Sequence, residues 1–260
     1  MIMSPDMAIV MNLLIALIVG LVGAGPVPAA TSGTTGNACA VVGLQRETRA
    51  LPSFSRIEVG GVADVVLRQG KTEAATVEAP AEVIPRIVTK VRDGTLYIDA
   101  SQERRWSDWT RLFGTRQTPR ITVDFIRMEG IESGGVIKLI ADGIRAGELR
   151  FDFSGASSIR IRNLQASVLH LEGSGATKVE LSGKVATQMV ELSGAGSYAG
   201  LDLESERAEM TVSGAGKAYI NAKTSLAVEI SGAGLVEYVG NPKLKQQISG
   251  VGKVRRREPD

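Results

Sequence analysis

Six serines recur at nearly even spacing in the second half of the chain: Ser154, Ser174, Ser193, Ser213, Ser231 and Ser249, in steps of 20, 19, 20, 18 and 18 residues. Each is followed by glycine, and the position two residues before them holds Asp152, Glu172, Glu191, Thr211, Glu229 and Gln247. Hydroxyls and carboxylates at fixed spacing are the raw material of nucleophilic or acid–base catalysis, and of oxygen-ligand metal sites. None of these chemistries is completed here. No histidine accompanies the serines at fixed spacing, and Ser-Gly alone lacks the strand-to-helix elbow of a Gly-x-Ser-x-Gly hydrolase. The acids form a ladder in which no pair is singled out, as polysaccharide lyases and hydrolases would need. As a calcium ladder they give too few ligands, are interrupted by Thr211 and lack the Gly-Gly-x-Gly-x-Asp nonapeptide. One cysteine, Cys39, and one histidine, His170, exclude a zinc site. The expectation is a chain with no catalytic residue, no metal and no cofactor, whose serines satisfy backbone groups at corners.

The elements that position these residues are strands. Each copy reads apolar, polar, apolar, Ser, Gly, usually Ala-Gly, from Phe151-Asp152-Phe153-Ser154-Gly155-Ala156 to Gln246-Gln247-Ile248-Ser249-Gly250-Val251-Gly252. Period-two alternation turns Phe151/Phe153, Val190/Leu192, Met210/Val212 and Val228/Ile230 inward and Asp152, Glu191, Thr211 and Glu229 outward. A copy is too short for a helix pair, and the spaced leucines and helical return of leucine-rich repeats are missing. The fold predicted is all-β: a right-handed parallel β-helix with rungs of about 20 residues, irregular N-terminal rungs and a cap, glycine turning each corner. Stacking at about 4.8 Å makes the acidic column costly, and the partly basic column of Arg160 or Lys178, Lys217 and Lys253 is expected to neutralise it.

Composition bounds the remaining classes. Among 260 residues, 43% are hydrophobic, with 30 glycines and nine prolines, which describes a folded, turn-rich protein. Thirty basic and 28 acidic residues are interspersed to a net +2, so nothing favours a nucleic-acid partner. A single cysteine excludes an internal disulfide. His170 falls on the outward set of Ser167-Val168-Leu169-His170-Leu171 and reads as a surface strand histidine.

In chain order, residues 1–29 have the layout of a secretory signal peptide, ending Val27-Pro28-Ala29, although no Lys or Arg precedes the apolar run. Membrane contact would come only through an uncleaved leader, and its apolar run of about fifteen residues is short of the roughly twenty a span needs. Residues 30–50 read as a linker; Gly36 and the distance from the apolar run argue against lipidation of Cys39. A single domain then covers 51–254: irregular strands over 51–140, the regular repeats over 151–252, and a degenerate copy at Glu132-Ser133-Gly134-Gly135-Val136 that links the two. Asp93-Gly94 marks a tight turn. The insertion at 101–119 interleaves Arg105 and Arg111 with Trp106 and Trp109, and it is the candidate surface for binding a sugar or partner, against the alternative that its aromatics fold back onto the domain. Residues 255–260 form a charged tail.

The phrases Phe54-x-x-Ile57-x-Val59-x-Gly61-x-x-Asp64-Val65-x-Leu67-x-Gln69-Gly70, Asp93-Gly94-x-Leu96-x-Ile98 and Ile121-x-Val123, with the iterated Ser-Gly-Ala-Gly, resemble the bacterial head GIN domain family, whose name includes the word adhesin. The resemblance runs from about Leu51 to Lys253 and implies an exported β-helical envelope protein with no catalytic residues to carry over; the Arg/Trp insertion departs from the family. The expected function is an exported, non-enzymatic, adhesion-like or structural binding module, in the periplasm or at the cell surface, with an envelope polysaccharide or protein as partner. The alternatives are a carbohydrate-active enzyme and a periplasmic sensing or scaffold module.

Overall fold

The computed structural model describes residues 43–101 and 118–258; the leader, Cys39 and the insertion carrying Trp106 and Trp109 lie outside them. Twelve strands follow in order: β1 Leu44–Ala50, β2 Arg56–Gln69, β3 Ala74–Pro80, β4 Val88–Arg92, β5 Thr95–Ala100, β6 Arg120–Phe125, β7 Gly130–Gly194, β8 Ser197–Val212, β9 Lys217–Ile230, β10 Leu235–Val239, β11 Lys243–Ile248 and β12 Lys253–Arg256. One short 3-10 helix, Ile84–Arg86, carries Pro85 in its first turn. Alternation sets their faces: Phe151, Phe153, Val190, Leu192, Met210, Val212, Val228 and Ile230 are all buried. The rings of Phe151 and Phe153 lie 5.6 Å apart in that core.

Parallel pairs join residues about one repeat apart, as in Tyr198 with Ala218 and Met210 with Val228. The first half pairs differently. β1 runs antiparallel to β3, β3 to β6 and β4 to β5. The expected right-handed parallel β-helix with a cap of irregular rungs is therefore corrected to an all-β mixed sheet of twelve parallel and antiparallel strands. For the β4–β5 pair the physical reason is local: Asp93 and Gly94 take φ of 48° and 72°, the two-residue left-handed turn that folds β5 back on β4, as their dipeptide predicts. Two boundaries also move. Leu44–Ala50, read as linker, is strand β1, and β12 carries the sheet through Arg255 and Arg256 of the charged end.

Where the fourth residue of the Ser-Gly phrase bears a hydroxyl, the chain continues as one strand; where it is glycine, the strand breaks. β7 runs unbroken through Ser157 and Thr177, both buried, whose hydroxyls donate to the carbonyls of Ser154 (3.4 Å) and Ser174 (3.2 Å). The strands break around Gly196, Gly216 and Gly234, where a Cβ would press on the core side chains of Leu192 (3.4 Å), Val212 (3.2 Å) and Ile230 (3.1 Å). The linking copy is also offset by one residue from expectation. Gly134 takes the outward place of the repeat serine, and Ser133 points inward, 3.4 Å from the Ser157 hydroxyl.

A second glycine position holds the repeats together. Gly61, Gly135, Gly155, Gly175, Gly194, Gly214, Gly232 and Gly250 form a column in which a Cβ on each from Gly135 onward would collide with the carbonyl oxygen of the one before. For Gly155, Gly175 and Gly194 that approach would be 2.5, 2.5 and 2.7 Å, too close for any side chain. Gly175 also has φ of 89°, so alanine there is strained twice over.

Inside the sheet, the fully buried Tyr198 donates to Gln188 Oε1 at 2.6 Å, Gln188 Nε2 donates to Ser205 Oγ at 2.8 Å, and Ser205 Oγ donates to the Asn221 carbonyl at 2.7 Å. This network lies where the β8–β9 ladder slips register between Gly200 and Glu204 and between Ser205 and Arg207. It supplies partners where the ladder cannot.

In urea denaturation, Gly175→Ala is expected to lose about 2 kcal/mol or more, whereas Gly70→Ala, with open space at its Cβ, stays within about 0.5 kcal/mol. Tyr198→Phe leaves Gln188 without its donor and is expected to cost about 1–3 kcal/mol by the same measurement.

Candidate functional site: a polar strand face and its cleft

The outward residues of the repeat extend further than the repeat itself. Glu58 pairs with Tyr97 on one side and Glu132 on the other, and the glycine column carries the same line onward through Asp152, Glu172 and Glu191. Thr211, Glu229 and Gln247 complete it. Beside this line run the serines on one flank, and Arg56, Arg150 and His170 on the other. A groove of about 180 Å³ follows the line past Glu132, Asp152, Glu172 and Glu191, edged by Ser154, Ser174 and Ser193. A cleft of about 800 Å³ lies beside it over β2, β5 and β7, and the two share Glu132 and Asp152.

The electrostatics differ from the expected column-to-column neutralisation. Arg150 reaches Glu172 at 3.8 Å, and among the described residues no ion pair reaches Glu58, Glu132, Asp152, Glu191 or Glu229. Arg160 and Lys178 instead converge on Glu180 at 2.6 and 2.8 Å, and Arg255 pairs with the buried Glu237. The hydrogen bond from Arg160, seconded by that from Lys178, lowers the Glu180 pKa to about 2. The acidic line is thus left facing solvent. Like charges on neighbouring strands cost stability, and solvent exposure keeps that cost small.

Ser154 is the one repeat serine with a side-chain hydrogen bond among the described residues, donating to the Ser133 carbonyl at 3.0 Å. Corner carbonyls of the first two copies, at Ser154 and Ser174, are met from inside by Ser157 and Thr177, and the remaining repeat hydroxyls stay on the surface or its margin. His170 lies on the outward side, with Nε2 3.6 Å from Glu148. Among the described residues, no three His, Cys, Asp or Glu side chains converge to hold a metal. The predicted binding residues Arg105, Trp106, Trp109 and Arg111 lie outside the described residues.

Sequence reasoning missed Arg56, Glu58, Tyr97 and Glu132 as parts of one face with Asp152. A signal was present: Ile57-Glu58-Val59-Gly60-Gly61-Val62 matches Ile131-Glu132-Ser133-Gly134-Gly135-Val136, the segment it pairs with residue for residue. Tyr97 carried no such mark, because β5 comes to β2 as half of a hairpin rather than as a repeat.

The described residues thus form an all-β domain whose strands align one polar face, with an open cleft at one part of it. The family model described as "Putative auto-transporter adhesin, head GIN domain" matches residues 53–242, and the chain belongs to that family. The family's adhesin description suggests a cell-envelope or surface location. Among solved structures, the chain is similar to a "putative adhesin" from Bacteroides fragilis (20% identity, TM-score 0.76, covering 83% of this chain and 97% of that one). It is also similar to a "putative adhesin" from Parabacteroides distasonis (18% identity, TM-score 0.65, covering 83% and 97%). A "putative lipid binding protein" from Parabacteroides distasonis shares the fold at 16% identity and TM-score 0.64, again covering 83% and 97%. No functionally curated relative matches the chain.

Glu180, outside the acidic line, gives the fold a pH signature. Its folded pKa of about 2 lies below the free value of 4.5, so its stabilising contribution is complete above pH 4.5 and is lost as pH falls toward 2. In urea denaturation across that window, Glu180→Gln is expected to lose less stability on acidification than the parent chain.

Proposed function

We propose that this chain is an exported, non-catalytic module of the bacterial cell envelope that binds a surface or envelope partner as adhesion proteins do. The observation that carries the reading is the continuous outward line from Tyr97 and Glu58 to Gln247, open to solvent and flanked by hydroxyls, in which carboxylates repeat without forming an acid–base pair. Catalysis calls for a few groups made different from their neighbours, whereas multivalent attachment is served by equivalent groups presented in line. Family membership and the names of the structural neighbours support adhesion. Export rests on the layout of residues 1–29, with the periplasm or the cell surface as destination.

The insertion contributes a second contact, with Trp106 and Trp109 as aromatic anchors and Arg105 and Arg111 as planar donors. Purified chain is expected to bind isolated envelope polysaccharide or protein fractions without releasing product, and replacing both tryptophans by alanine should weaken binding by about tenfold or more. Product release that disappears in Glu172→Gln or Glu191→Gln would make the protein an enzyme and end this reading.

A further inference from the structure

We infer that the cleft over β2, β5 and β7 is a binding site for a neutral saccharide chain, an inference that rests on the reading of the protein as a binding module. Its volume, about 800 Å³, falls within the roughly 300–1,000 Å³ usual for ligand sites. Ile57, Met128 and Ile131 lie beneath it with their side chains turned into the core, so its exposed lining is largely polar apart from Tyr97. Its walls carry three arginines and five carboxylates, and Tyr97 stands among them 38% exposed.

The class of ligand follows from what those walls accept and refuse. A polyanion entering the cleft meets five carboxylates, and a polycation meets Arg56, Arg127 and Arg150. A peptide bound as an added strand needs a free strand edge, and β2 has none there: β5 and β6 pair it on one flank and β7 on the other. Hydroxyl groups both donate and accept, so a neutral polyol can give hydrogen bonds to the carboxylates and take them from the guanidinium groups at no net charge cost.

The donors and acceptors are spaced for this. Arg127 is engaged by Glu129 at 3.3 Å and Arg150 by Glu172 at 3.8 Å, while Arg56 has no ion pair among the described residues. Gly130 leaves room for the Arg56 stem, whose Cγ would lie 3.7 Å from a Cβ there. Arg56 thus lines the cleft together with Glu58, Glu132 and Asp152, its guanidinium not committed to an ion pair among the described residues. The Tyr97 ring supplies the apolar platform on which the C–H face of a sugar ring can stack. The acidic, hydroxyl-edged groove leads on from Glu132 and Asp152, so a longer chain leaving the cleft meets further acceptors.

The test is calorimetry of the full chain with neutral hexose and pentose oligomers (glucan, mannan, galactan and xylan fragments), with polygalacturonate and polylysine as charged probes. At least one neutral oligomer is expected to bind, with little dependence on salt. Arg56→Lys and Tyr97→Ala, both at exposed positions, should each weaken binding by about tenfold. Lys245→Ala, on β11 and outside the cleft, should leave it unchanged, and circular dichroism melts verify that every variant folds. Binding confined to a charged probe, binding indifferent to Arg56 and Tyr97, or no binding to any neutral oligomer would overturn the assignment. If envelope fractions still bind in those cases, the adhesion reading stands and this cleft alone is wrong.

Discussion

Backbone lying directly on backbone is the constraint from which the rest of this structure follows. From Gly61 to Gly250, eight glycines meet in a column where the carbonyl of one occupies the space a side chain on the next would need. Only a residue without Cβ permits the repeats to approach so closely, and once they do, the ladder hydrogen bonds lock register. Register then decides everything with a side chain: a slip of one residue would exchange Phe151 and Phe153 with Asp152. The core and the polar face are thus two consequences of one packing requirement.

That requirement was legible in the second half of the chain and obscure in the first. Ser-Gly written six times, with apolar residues alternating ahead of it, disclosed the buried column and its outward partners before any coordinates. It did not disclose that the fourth residue matters, so that Ser157 and Thr177 keep β7 continuous while Gly196, Gly216 and Gly234 interrupt the strands. In the first half irregular strands over 51–140 were recognisable, yet their pairing direction was not. Alternation reports which face is buried and is silent on whether the neighbour runs parallel or antiparallel, which is how a purely parallel β-helix came to be expected of a mixed sheet. The match of Ile57–Val62 to Ile131–Val136 would have joined the halves correctly, but a pairing 74 residues apart looks like coincidence without the glycine column to explain it.

The site shows the same division. Asp152, Glu172, Glu191 and Glu229 announced an outward acidic line, and the structure extends it to Glu132, Glu58 and Tyr97. Two of the cations expected to neutralise the line, Arg160 and Lys178, are held on Glu180 instead. Satisfying the acids of the line internally would have been simple for a sheet that elsewhere pairs its charges across strands, as Arg68 does with Asp124. A surface that leaves its acceptors available is suited to a partner that supplies the donors.

Disulfide trapping tests the stacking most directly. In a Cys39→Ser background, Thr211→Cys with Glu229→Cys joins positions paired in parallel on adjacent strands, about 4.8 Å apart and within the roughly 4.4–6.8 Å a disulfide spans. Thr211→Cys with Gln247→Cys places the thiols two strands apart, beyond that reach. The account predicts that mild oxidation closes the first pair within a folded monomer and leaves the second free; closure of the second pair, or failure of the first, would contradict it.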